Sequence, residues 1–139
     1  MSLKVLIVDP DWHFLAQARN ALEARGDITV HEARPDQAVR RAEHWCPDLV
    51  IINAELRDCC DGDLLERLGR LSPRPAILLT ARMDQFAKAW RAWQRGGDEL
   101  LLKPLMHPGE LHIAVLHARE NMLAPRRLLI PAQPVAVSA

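Results

Sequence analysis

Four residues with site chemistry stand far apart in the chain: Asp9, Asn53, Thr80 and Lys103. They offer a carboxylate, an amide, a hydroxyl and an ammonium. Each follows a short apolar run. Val5-Leu6-Ile7-Val8 precedes Asp9 and Leu49-Val50-Ile51-Ile52 precedes Asn53. Ala76-Ile77-Leu78-Leu79 precedes Thr80, and Leu100-Leu101-Leu102 precedes Lys103. If these runs are parallel strands, all four polar residues fall at one edge of the sheet. There Lys103 is expected to pair with Asp9, because a part-buried unpaired ammonium is costly. Thr80 can serve the site or simply satisfy backbone groups at a strand end. Asp11 is a cap for the next helix and a second acid beside Asp9. No nucleophile–base pair and no phosphate loop accompany the set. The histidines at 13, 31, 44, 107, 112 and 117 form no pair at i, i+4, and the cysteines at 46, 59 and 60 lack metal-ligand spacing. Free thiols in a reducing compartment are the expectation.

The elements that must position these residues alternate in type. After the first strand, Phe14, Leu15, Ala18 and Leu22 recur at helical spacing up to Gly26. Ile28-Thr29-Val30 is a short, more polar strand, suited to a sheet edge. Pro35 opens a second helix that runs to about Trp45. Asp61 to about Leu71 reads as a third helix, closed by Ser72-Pro73-Arg74-Pro75. A fourth spans about Asp84 to Arg95 and stops at Gly96-Gly97. A fifth spans about Pro108 to Met122. Five strands alternating with five helices predict a doubly wound parallel sheet with right-handed crossovers. No Gly-x-Gly-x-x-Gly follows the first strand, which argues against a dinucleotide site. The expected architecture is flavodoxin-like, strand order 2-1-3-4-5, whose switch point lies between the first and third strands.

One compact domain over residues 1–123 and a Pro/Ala-rich tail or linker over 124–139 fit the length of 139 residues. Lys plus Arg and Asp plus Glu are 18 each, so no basic footprint points to nucleic acid or an anionic membrane. No apolar run approaches the roughly 18 residues of a spanning helix. A cytoplasmic protein is expected.

The stretch Pro47-Asp-Leu-Val-Ile-Ile-Asn53, followed by Asp61-Gly62, resembles the phosphoacceptor strand of bacterial response-regulator receiver domains. Asp9, Thr80 within Leu-Leu-Thr-Ala, and Lys103-Pro104 extend that resemblance over about residues 3–122. The resemblance implies a crevice where acids hold Mg²⁺ and an aspartate takes phosphoryl from a histidine kinase. It further implies a lysine on the phosphate and a switch hydroxyl whose move is followed by an aromatic residue near the fifth strand. Three pieces of that machinery are missing. Asn53 stands at the acceptor position, and an amide has no anionic oxygen to attack phosphorus. Pro10 stands where a second acid is usual, which weakens a Mg²⁺ site. Leu100 stands at the switch aromatic, and the chain has no tyrosine. Arg57 replaces the loop proline, with one extra residue before Asp61-Gly62.

The reading is a non-enzymatic pseudo-receiver that acts by protein–protein contact. A working Mg²⁺-dependent acceptor using another residue, Ser72 or Thr80, is one alternative; a small-molecule or flavin-binding protein on the same fold is another. Phe86, Ala89, Trp90 and Trp93 share a face of the fourth helix at helical spacing. That face is either core or a partner surface. By resemblance, the fourth helix, fifth strand and fifth helix would dock a histidine kinase, a phosphotransfer or output protein, or a second copy.

Overall fold

The structure, a computed structural model, describes residues 2–124. The expected tail lies outside them, apart from Ala124. Five parallel strands form one sheet in the order β2-β1-β3-β4-β5, as the alternating pattern predicts. They are β1 (Lys4–Val8), β2 (Ile28–His31), β3 (Leu49–Asn53), β4 (Ala76–Arg82) and β5 (Glu99–Lys103). The helices are α1 (Trp12–Glu23), α2 (Ala38–Trp45), α3 (Leu64–Gly69), α4 (Phe86–Arg95) and α5 (Pro108–Leu123), joined by a single extra turn at Arg57–Cys60.

Successive strand residues point to opposite faces, so the sheet carries two cores. Val5, Ile7, Ile51 and Leu78 pack with α1 and α5. Leu6, Val8, Ile52 and Leu79 pack with α2, α3 and α4. Burial on both faces explains why β1 and β3 read as unbroken apolar runs. α1 starts where Asp11 Oδ1 accepts from the His13 and Phe14 amides at 3.0 and 3.1 Å. α5 starts at His107, whose Nδ1 accepts from the Gly109 amide while the Glu110 carboxylate accepts from the His107 amide, each at 2.9 Å.

The expected boundaries of three helices move. Asp61-Gly62 does not open the third helix, which runs only over Leu64–Gly69. The loop is instead wound into the Arg57–Cys60 turn, and the Arg57 carbonyl accepts from the Asp61 and Gly62 amides. This turn takes up the extra residue. A Cβ at Gly62 would stand 2.8 Å from the Asp58 carbonyl oxygen, so only glycine fits this close approach. The second and fourth helices each open with a 3₁₀ turn, Pro35–Gln37 and Met83–Gln85. Gly96 caps the fourth, and Gly97 follows it with φ of 114°, a backbone that favours glycine. Cys59 and Cys60 are buried and Cys46 is exposed, all as free thiols. Among the described residues, no helix is long and apolar enough to cross a membrane.

Candidate functional site

The parallel register brings the distant polar residues together. Val8 pairs with Ile52, so Asp9 and Asn53 are the next positions along two adjacent strands. Asn53 pairs with Thr80, and Arg82 pairs with Lys103. Asn53 and Lys103 end their strands, while Asp9 lies one residue past β1. Thr80 differs from expectation: β4 continues two residues beyond it, to Arg82, and Thr80 is an interior strand residue with no exposed surface. Pairing with β5, Ala81 to Leu102 and Arg82 to Lys103, carries the strand past the threonine.

Asp9 is the centre of the crevice and only 1% exposed. Its Oδ1 accepts from the Asp11 amide at 2.9 Å and from Asn53 Nδ2 at 3.2 Å. Its Oδ2 accepts from Lys103 Nζ at 2.8 Å and from the Thr80 hydroxyl at 3.3 Å. A carboxylate offers about four lone-pair directions, so these donors account for its accepting capacity. The expected ion pair between Lys103 and Asp9 is therefore present in the geometry. The Lys103 ammonium also reaches Asp11 Oδ2 at 3.3 Å and lies 4.6 Å from the centre of the Phe14 ring.

Asn53 is turned in a self-consistent way. Its Nδ2 donates to Asp9, and its Oδ1 accepts from the Glu55 amide at 2.8 Å. Asp11 caps α1 with one oxygen and meets Lys103 with the other. Burial acts to raise the Asp11 carboxyl. The Phe14 amide and the Lys103 charge outweigh it and hold the group below the usual carboxylate range. Leu100 is half-buried against the core on the α2–α4 side. Ser72 precedes β4, at the end of the sheet opposite the crevice.

Two rim residues escaped sequence reasoning. The Glu55 carboxylate accepts from the Arg82 amide at 2.8 Å and from its guanidinium at 3.2 Å. Both lie at the C-terminal strand edge, Glu55 two residues past Asn53 and Arg82 at the end of β4, so the same edge rule could have found them. His31, at the end of β2, places Nε2 3.2 Å from the Asp9 carbonyl oxygen. Trp12 stands edge-on to its ring at 5.2 Å.

The Glu55 pair yields an expected result. Burial acts to raise the Glu55 carboxyl, but Arg82 bonds and charge outweigh it and leave the folded-state pKa lowered. The stabilisation is therefore present above the unfolded-state pKa and is lost as pH falls through the folded-state value. Arg82 is 58% exposed, so solvent screens the pair and its contribution is small. Urea unfolding should show wild type more stable than Glu55→Gln near neutral pH, with the difference closing as pH falls through the folded-state value of Glu55. A difference that widens on acidification would contradict this account.

The expected shared face of the fourth helix divides. Ala89 and Ala92 are buried, and their small side chains let α4 approach the sheet closely. The rings are displaced to the flanks: Trp93 packs against the core, whereas Phe86 is 54% and Trp90 38% exposed.

A doubly wound α/β sheet with a buried acid, a buried threonine and a lysine gathered toward its C-terminal edge defines the receiver class of protein. The response regulator receiver domain family matches residues 5–116, and the chain belongs to that family. A protein-glutamate methylesterase/protein-glutamine glutaminase of Thiobacillus denitrificans is 27% identical over 98% of this chain and 40% of its own length. The transcriptional regulatory protein KdpE of Mycobacterium tuberculosis is 32% identical over 72% of this chain and 44% of its own length. The chain thus spans less than half the length of these curated relatives. A putative response regulator from Chloroflexus aurantiacus superposes with a TM-score of 0.75 at 20% identity, covering 86% of this chain and 99% of that one. That likeness shows the fold.

Proposed function

We propose that this chain is a pseudo-receiver: a non-enzymatic, cytoplasmic signalling module that acts by protein–protein contact without aspartyl phosphate at position 53. The observation that carries the reading is the closed set of donors on Asp9. In a phosphorylatable receiver that acid must be available to a cation. Here its oxygens accept from Asp11, Asn53, Thr80 and Lys103.

The residues present do not fit Mg²⁺. The ion needs oxygen ligands in near-octahedral geometry. Pro10 supplies no side-chain oxygen, Asn53 turns its nitrogen toward Asp9, and Lys103 places an ammonium on the remaining carboxylate edge. Among the described residues, no group of three His, Cys, Asp or Glu side chains is arranged to hold a metal ion. The alternative acceptors are equally poorly placed: Thr80 is fully buried and Ser72 lies at the far end of the sheet.

With Thr80 held inward by Asp9, the crevice rests in one arrangement, and a partner would act by preferring it or an alternative. The outward Phe86 and Trp90 support a contact surface on α4, β5 and α5, since exposed aromatic residues are favoured anchors. Its partner would be a histidine kinase, a phosphotransfer or output protein, or a second copy.

A titration tests the reading. Amide resonances of Asp9, Asn53 and Ala54 should not move in saturable fashion when Mg²⁺ is added to wild type. The same resonances should move in a variant carrying Asn53→Asp and Pro10→Asp. Saturable movement in wild type would return the crevice to the metal-binding class.

A further inference from the structure

A cavity of about 420 Å³ opens beside the crevice, between the start of α1, the β4–α4 turn and the turn after β5. Phe14, Met83, Pro104 and Leu105 give it apolar walls, and Lys103 closes the end toward Asp9. Its volume falls within the ~300–1,000 Å³ of small-molecule sites. Met83 is 67% exposed, an adaptable side chain at the mouth that a bound molecule would cover.

Charge selects the kind of molecule. The cations on the wall are already matched. Lys103 meets Asp9 and Asp11, and Arg82 meets Glu55. Asp84 is less well satisfied: its carboxylate is 73% exposed and touches Arg82 only at 4.0 Å. Across cavity and crevice, the carboxylates of Asp9, Asp11, Glu55 and Asp84 outnumber the two charges of Arg82 and Lys103. His13, also on the wall, is the remaining titratable group there. The local excess is negative, although the chain is neutral overall. An anionic ligand would meet Asp11 and Asp84, whereas a cation would complete the partly satisfied Asp84.

We propose that this cavity binds a small organic amine, its ammonium toward Asp84 and its ring or branched chain against Phe14, Met83 and Leu105. The cavity shares Asp11 and Lys103 with the crevice, but ligand binding in it is read without metal binding or phosphorylation.

The probe is phenethylamine, titrated into the full 139-residue chain with the Met83 and Leu105 methyl resonances as readout. Saturable shifts are expected for the amine, with markedly weaker binding of phenylethanol and phenylacetate, which replace the ammonium by a neutral and an anionic group. Asp84→Asn, a substitution on an exposed side chain, should weaken the amine about fivefold, the worth of one partly exposed ion pair. Met83→Ala should weaken all three probes alike. Phenylacetate or phenylethanol binding as tightly as the amine would overturn the proposal. So would an unchanged affinity in Asp84→Asn, or no saturable shift with phenethylamine.

Discussion

Given acetyl phosphate and Mg²⁺, wild-type protein should gain no acid-labile phosphoryl group by intact mass, whereas restoring two carboxylates should make it a phosphoacceptor. The wild-type amide is committed on both sides, donating to Asp9 and accepting from Glu55, and it carries no anionic oxygen. Asn53→Asp supplies the nucleophile but sets a second carboxylate against Asp9, at a spacing where the amide nitrogen now stands 3.2 Å away. Like charges so close need a cation between them. Lys103 already spans Asp9 and Asp11, so the relief must come from Mg²⁺, which also neutralises charge on the transferring group. With Pro10 still in place the metal has one acid too few, and the single variant should react slowly. Pro10 is exposed, so Pro10→Asp can be added without disturbing the core. The double variant should be at least about tenfold faster than the single one, a modest share of what metal stabilisation can contribute. Its structural response should remain weak, because Leu100 presents no aromatic ring to follow Thr80. Phosphorylation of wild type would overturn the pseudo-receiver reading. A single variant as fast as the double would mean that Asp11 leaves Lys103 and takes the role of the missing acid.

The sheet and its crevice were legible because parallel strands obey a simple rule. Apolar runs buried on both faces announce themselves, and whatever polar residue ends such a run must lie at the shared edge. That logic placed Asp9, Asn53 and Lys103 without knowledge of any contact. It misplaced Thr80 slightly, because Ala81 and Arg82 continue the strand through pairing with β5, and pairing is a property of two segments. Glu55 and Arg82 were missed for a related reason: neither is unusual alone, and their bond joins positions 27 residues apart. The Arg57–Cys60 turn was invisible because it depends on carbonyls and on the Gly62 approach to Asp58, not on apolar spacing. On α4, period alone grouped Trp90 with Trp93. Their separation follows from the depth at which Ala89 and Ala92 seat the helix.

The second large effect concerns the stability of the crevice, where the Asp9–Lys103 pair should respond asymmetrically to loss of either partner. Asp9→Ala removes the acceptor for four donors at once. Lys103, with its side chain 7% exposed, is then left with Asp11 alone, whose carboxylate is 40% exposed and lies at 3.3 Å. The Thr80 hydroxyl, which has no exposed surface, loses the acceptor it has in the structure. Breaking one side of a buried ion pair typically costs about 3–5 kcal/mol, and Asp9→Ala should fall in that range. Lys103→Met leaves Asp9 with three neutral donors, the Asp11 amide, Asn53 and Thr80. The new side chain is also suited to pack on Phe14, over which the ammonium now sits. Its cost should be smaller than that of Asp9→Ala, because three donors still solvate the buried carboxylate that loses its counter-charge. Urea unfolding of wild type and the two variants at neutral pH measures both. Lys103→Met proving as costly as Asp9→Ala would show that the lysine, and not the donor set around Asp9, holds the crevice closed. The metal argument would then lose its footing too, because Asp9 would be free to turn toward a cation whenever Lys103 moved aside.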